Sequence, residues 1–278
     1  MPARFTVRLR GARRAIGLLA ATAALGLAAC SSDEEIPYVE RPPENIYTEA
    51  LNALEDNNYQ LASDLFDEVE RQHPYSQWAT RAQLMAAFSH YEAQRYDEAI
   101  IALDRFIQLH PGNKDVDYAY YLKALCYYER ISDVQRDQRM TEQAMDALME
   151  VTNRFPESVY ARDASLKVDL TRDQLAGKDM SIGRWYLEQG QYPAAIMRFR
   201  SVIRDWQTTS HVPEALHRLT EAYLSLGLET EAQRSAAVLG YNYPGSEWYQ
   251  DSYALLVEGG VRPREDQGFI DEALDWLL

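Results

Sequence analysis

The sequence predicts an all-α fold, a superhelical solenoid of about five helix pairs, and three observations predict it. The stretch NNYQLASDLFDEVERQHP at 57–74 returns as QRYDEAIIALDRFIQLHP at 94–111, pairing Tyr59 with Tyr96, Ala62 with Ala99 and His73-Pro74 with His110-Pro111 at a constant offset of 37. The same offset joins Ala50 to Ala87 and Ala124 upstream. The chain has two cysteines in 278 residues and is 46% hydrophobic, so its stability must come from packing rather than cross-links. A fixed period of this length means stacked units, each covering its neighbour's apolar face.

The order of elements begins with a leader. Arg4, Arg8, Arg10, Arg13 and Arg14 stand without an acid before an apolar run from Ala15 to Ala29, the layout of a secretory signal. That run falls short of the about 20 apolar residues of a membrane span. Leu27-Ala28-Ala29-Cys30 resembles the bacterial lipobox, which implies cleavage of 1–29 and acylation of Cys30. Ser31 follows the cysteine where an aspartate would imply retention at the inner membrane, so outer-membrane delivery is expected. Residues 30–44 then read as a tether, because SSDEEIPYVERPPE carries three prolines and five acids.

The repeats follow over 45–252, with units near 43–76, 80–113, 117–156, 158–207 and 212–246. They resemble the tetratricopeptide repeat: a small residue in helix A, an aromatic before helix B, an alanine where the helices cross, and a closing proline. Crossing alanines fall at 62, 99, 144, 195 and 232. Alanine there lets two helices approach closely, and proline stops helix B. The third unit contains a longer loop, SDVQRDQRM, and the fourth is entered by a long helix from about Val159 to Gln189, which Gly177 weakens by roughly 1 kcal/mol. Repeats end after Ser252, and 253–278 holds a turn-rich linker, LVEGGVRPRED, and one amphipathic helix. Its apolar face is Phe269, Ile270, Ala273, Leu274 and Leu277, and it either caps the solenoid or docks on a partner.

Charge excludes some partners. The formal charge is −15, and it becomes −20 once the five leader arginines are gone, so a phosphate backbone or an anionic lipid surface would repel the chain. No catalytic or cofactor motif occurs. His73 and His110 are repeat equivalents placed to meet the last carbonyls of helix B. His211 and His217, six apart, share no helix face, and Cys126 sits among apolar neighbours as an inert thiol. The chain reads as no enzyme, with no metal and no cofactor.

What remains is surface. In tetratricopeptide arrays the A helices line the concave face. The register puts Tyr47, Leu51 and Leu54 beside Leu84, Phe88 and Tyr91, then Tyr121, Leu125 and Tyr128. Any one of them could simply pack helix A against its neighbour. Together they predict a groove for a ligand with large apolar side chains, where a cochaperone groove would offer Lys, Arg and Asn to a peptide carboxylate.

The lipobox, the number of repeats and the segments FDEVERQHPYSQWATRAQLMAAFSHYEAQRYDEAI, RFPESVYARDA and YLEQGQYPAAIMRFRSVIRDW together resemble the BamD family of outer-membrane assembly lipoproteins, over nearly the whole chain after the leader. The resemblance implies a periplasm-facing scaffold at the outer membrane, bound to the POTRA domains of BamA and to other lipoproteins of that machinery. It implies that the N-terminal repeats receive unfolded β-barrel proteins through a C-terminal signal ending in an aromatic residue. It also implies that Arg198 and Arg204 contact BamA. The competing expectation is a repeat lipoprotein of cell-wall or division machinery, which a coiled-coil segment ahead of the repeats would favour; none is present.

Overall fold

The structure, a computed structural model, describes residues 40–264 and 266–277. Among these residues the chain forms twelve helices and no strand. They run α1 (Pro43–Glu55), α2 (Tyr59–Gln72), α3 (Gln77–Glu92), α4 (Tyr96–Leu109), α5 (Val116–Tyr128), α6 (Arg139–Arg154), α7 (Ala161–Glu188), α8 (Tyr192–Asp205), α9 (Val212–Ser225), α10 (Glu229–Asn242), α11 (Glu247–Glu258) and α12 (Gln267–Leu277). Each helix from α1 to α10 packs on the next, and alternate helices α1, α3 and α5 also touch, so the chain is a solenoid of A and B helices. Cys30 and the leader lie outside the described residues.

Local chemistry explains the pairing. The five crossing alanines, Ala62, Ala99, Ala144, Ala195 and Ala232, are fully buried, as are Ala50, Ala87 and Ala124 of the facing A helices. In the fourth pair the small residue is Gly183, where a Cβ would sit 2.5 Å from the Phe199 ring. Five residues before the crossing alanine, the A-to-B turn takes a positive φ in four pairs: Asn57 (59°), Gln94 (58°), Gly190 (67°) and Gly227 (73°). Glycine adopts this conformation without a Cβ clash, whereas Gln94 holds it at a cost. Helix starts are fixed by side chains where the sequence offers them: Ser76 Oγ accepts the Ala79 N–H at 3.1 Å, and Ser246 Oγ that of Trp248 at 3.2 Å.

The core is a chain of clusters, each shared by consecutive helices. The first gathers Ile46, Ala50, Phe66 and Val69, and the second Leu103, Phe106, Leu122 and Cys126. The third gathers Ala124, Leu148, Val151 and Val168, and the last and largest runs from Met180 and Phe199 to Leu239, Leu256 and Leu277. α12 lies on α10 and closes this last cluster, burying Phe269, Ile270, Ala273 and Leu277. Its Trp276 ring meets two guanidinium groups, Arg200 at 4.8 Å and Arg234 at 5.6 Å from the ring centroid. Arg200 also donates to the Trp276 carbonyl at 3.0 Å.

The long helix expected ahead of the fourth pair is α7, continuous over 28 residues through Gly177; a Cβ there would stand 3.2 Å from the ring of His211, the residue before α9. Two expectations need correction. The linker does not begin at Leu256, because α11 runs through it to Glu258; Leu256 is fully buried and so holds the extra turn. His73 and His110 do not reach the carbonyls of helix B. Both leave the helix at φ near −130°, which swings the rings toward preceding segments. His73 Nε2 lies 2.6 Å from the Arg41 carbonyl and His110 Nε2 2.9 Å from Gln83 Oε1.

Candidate partner-binding surfaces

The nine residues of the expected groove sit on one face of α1, α3 and α5. Leu84 is only 9% exposed and belongs to the second core cluster, while the other eight are half-buried. Their inner edges lean on the core and their outer edges meet solvent. Tyr47 packs on Phe66 at 5.3 Å and on Trp78 at 5.0 Å between ring centroids. Burial pushes the Tyr91 phenol up to about 12, with Glu129 adding to it. It raises Tyr121 as well, where a hydrogen bond to Asp163 adds to the effect. The phenols of Tyr91 and Tyr121 thus stay neutral.

The repeat register stops at α5, but the apolar face does not. Tyr121 donates its hydroxyl to Asp163 Oδ2 of α7 at 2.5 Å and stacks on Tyr160 at 5.0 Å. Lys167 pairs with Asp163 at 2.6 Å and lies over the Tyr128 ring. Residues 163, 166, 167 and 170 share one helix face, so this contact turns Leu166 and Leu170, 58% and 59% exposed, onto the same side as the stripe. Sequence comparison missed both, because the long α7 breaks the 37-residue offset. The signal that remains is the i, i+4 pair of leucines at exposed positions.

The corresponding A-helix face of the C-terminal half is built from charges. Arg184 grips Glu214 with two parallel bonds of 2.8 Å. Arg218 approaches Glu214 at 3.6 Å, bonds Glu221 at 2.8 Å and lies over Trp248. Burial alone would raise the Glu214 carboxyl, but Arg184 and then Arg218 outweigh it and hold the group below its usual range. Beneath them the buried His217 places Nδ1 2.9 Å from Ser252 Oγ and packs on Trp248.

Arg198 and Arg204 both lie on α8 and are exposed, and each already has a partner. Arg198 donates to Asp179 at 3.1 Å, and Arg204 makes two 2.8 Å bonds to its neighbour Asp205. Met197, 72% exposed, stands beside Arg198. Cys126 is buried, which pushes its thiol up to about 12. Among the described residues no cluster of His, Cys, Asp or Glu has the make-up of a metal site, and no helix is long and apolar enough to cross a membrane.

A family described as outer membrane lipoprotein, YfiO, matches residues 39–239. The outer membrane protein assembly factor BamD of Caulobacter vibrioides is 52% identical over 92% of this chain and 85% of its own length. The protein of the same name from Rickettsia prowazekii is 45% identical, over 86% of this chain and 96% of its own. Among solved structures, the TPR2AB domain of yeast Sti1 aligns with 84% of this chain and 89% of its own at 12% identity and a TM-score of 0.41.

Proposed function

The chain belongs to the BamD family of outer membrane lipoproteins, and on that premise we propose that it is a scaffold of the β-barrel assembly machinery that binds BamA and receives unfolded outer-membrane proteins. The observation that carries the receptor role is the apolar face running from Tyr47 through Phe88, Tyr91 and Tyr121 to Leu166 and Leu170. An apolar anchor side chain gains about 1.5 to 3 kcal/mol on full burial, so two anchors give weak, reversible capture. That suits a protein that must hand its ligand on. Half-buried side chains with fixed inner edges supply such a surface with little further ordering on binding.

The test replaces Phe88 and Tyr91 with Ser. Binding of a peptide ending in Phe should weaken while helicity and BamA copurification stay intact. A double variant that folds and binds normally puts the receptor site elsewhere, and one that unfolds makes the stripe core. The BamA contact is proposed on the outer face of α8, at the exposed Arg198 and Arg204 together with the exposed Met197. Reversal of both arginines to Glu should release BamA; retained copurification would remove this interface from the proposal.

Anchoring is proposed through Cys30, facing the periplasm. Acyl chains contribute about 0.8 kcal/mol per buried methylene, so two or more chains hold a protein firmly. Cys30→Ser should therefore leave the outer-membrane fraction when BamA is depleted; continued full sedimentation would exclude the lipid as anchor.

A further inference from the structure

Two cations that border the apolar face differ in what holds them. Lys167 is bound to Asp163, which also takes the Tyr121 hydroxyl, so its charge is satisfied within the protein. Arg81 stands on α3 three and seven residues before Leu84 and Phe88, which puts the three on one helix face. It is exposed, and among the described residues it makes no ion pair. Its guanidinium lies close enough to Tyr47 to oppose the rise that burial imposes on that phenol. Glu44, on the facing helix α1, is engaged by the Trp78 indole N–H at 3.0 Å. An arginine without a carboxylate, set beside aromatic side chains, is a ready fork for one supplied by a ligand.

Resting on the peptide-receptor reading above, we propose that Arg81 receives the C-terminal carboxylate of the captured peptide. The terminal aromatic ring then lies against Tyr47 and Phe88, and the preceding residues run across α5 toward Leu166 and Leu170. The groove thereby distinguishes a chain end from an internal aromatic segment, and it fixes the direction in which the ligand enters.

The experiment uses the detergent-solubilised lipidated protein and one peptide ending in Phe, made as free acid and as carboxamide, with affinity read by fluorescence anisotropy. Amidation should weaken binding to the wild type by about tenfold, about 1.4 kcal/mol. Arg81→Gln should bring the free acid down to the amide's affinity, and Arg81→Lys should keep part of the preference. Arg162→Gln, an exposed cation on the first turn of α7, should leave the preference unchanged. Equal wild-type binding of acid and amide, with Phe88→Ser weakening both, would overturn the carboxylate pairing and leave the groove standing. Loss of the preference in Arg162→Gln alone would reverse the peptide and overturn the proposal. No effect of Phe88→Ser on either peptide would remove the receptor reading itself.

Discussion

The two halves of the solenoid share one packing scheme and differ in the face their A helices present. In α1, α3 and α5 that face is phenol and hydrocarbon, half-buried and neutral; in α7 and α9 the equivalent surface is occupied by Arg184, Glu214, Arg218 and Glu221 bonded to one another. The cores beneath are alike, with Phe66 and Phe199 at equivalent positions four residues after the crossing alanine and both fully buried. The difference teaches that the repeat's buried positions set the fold, while its outward positions are free to specialise. An apolar face leaves surface to offer a ligand. An ion-paired face has already used its charges to tie helix to helix.

The largest test of that comparison is in the cores. Phe66→Ala and Phe199→Ala should each cost about 3 to 5 kcal/mol, because each removes a fully buried ring. Stability in a solenoid is a sum of neighbouring interfaces, so hydrogen exchange should rise mainly in the half that carries the change. Uniform loss of protection in both halves would break the picture of separable regions.

Next comes Glu214→Ala, expected to cost about 1 to 2 kcal/mol, since it removes both bonds of the partly exposed Arg184 guanidinium while Arg218 keeps Glu221. Thermal unfolding measures it. The double change Phe88→Ser with Tyr91→Ser should cost less stability and far more peptide affinity; the reverse ranking would mean that the apolar stripe is the structural face and the charged one the binding face.

Acid should act on both halves, since burial holds the ring of His90 on α3 below its usual 6.5 as well. Burial first and Arg218 second hold the His217 ring below its usual 6.5, with Glu221, Asp251 and Glu214 opposing. The unfolded chain takes up this proton more readily than the native one, so stability falls as pH drops below about 6.5. Glu214 acts at lower pH: its depressed carboxyl contributes fully above about 4.5, and the contribution is lost as pH falls through the folded value. His217→Gln should flatten the decline below pH 6.5 when Tm is followed against pH. An unchanged slope would show that another group sets the acid response. The raised phenols of Tyr47, Tyr91 and Tyr121 add nothing in this range.

The smallest expected effect is at the turns. Gln94→Gly should stabilise the second A-to-B turn by less than about 1 kcal/mol, the relief of a positive φ being offset by the freedom glycine gains when unfolded. Destabilisation would mean that the Gln94 side chain has a role which the φ angle does not reveal.

The sequence by itself determined the helix pairs, because their signals are local: a crossing alanine, an aromatic before helix B and a proline after it act within one unit. It also located the stripe from Tyr47 to Tyr128, since three A helices keep a constant offset. Only the tertiary structure decided where that face ends, because Leu166 and Leu170 join it through the bond of Tyr121 to Asp163, 42 residues apart. The same holds for Arg184 with Glu214, 30 residues apart, and for Trp276 beneath Arg200, 76 residues apart. Which of several exposed cations remains unpaired, as Arg81 does, depends on every carboxylate brought near it. Helical periodicity fixes which side of a helix a residue takes, but the partner across the gap is chosen by how whole helices stack.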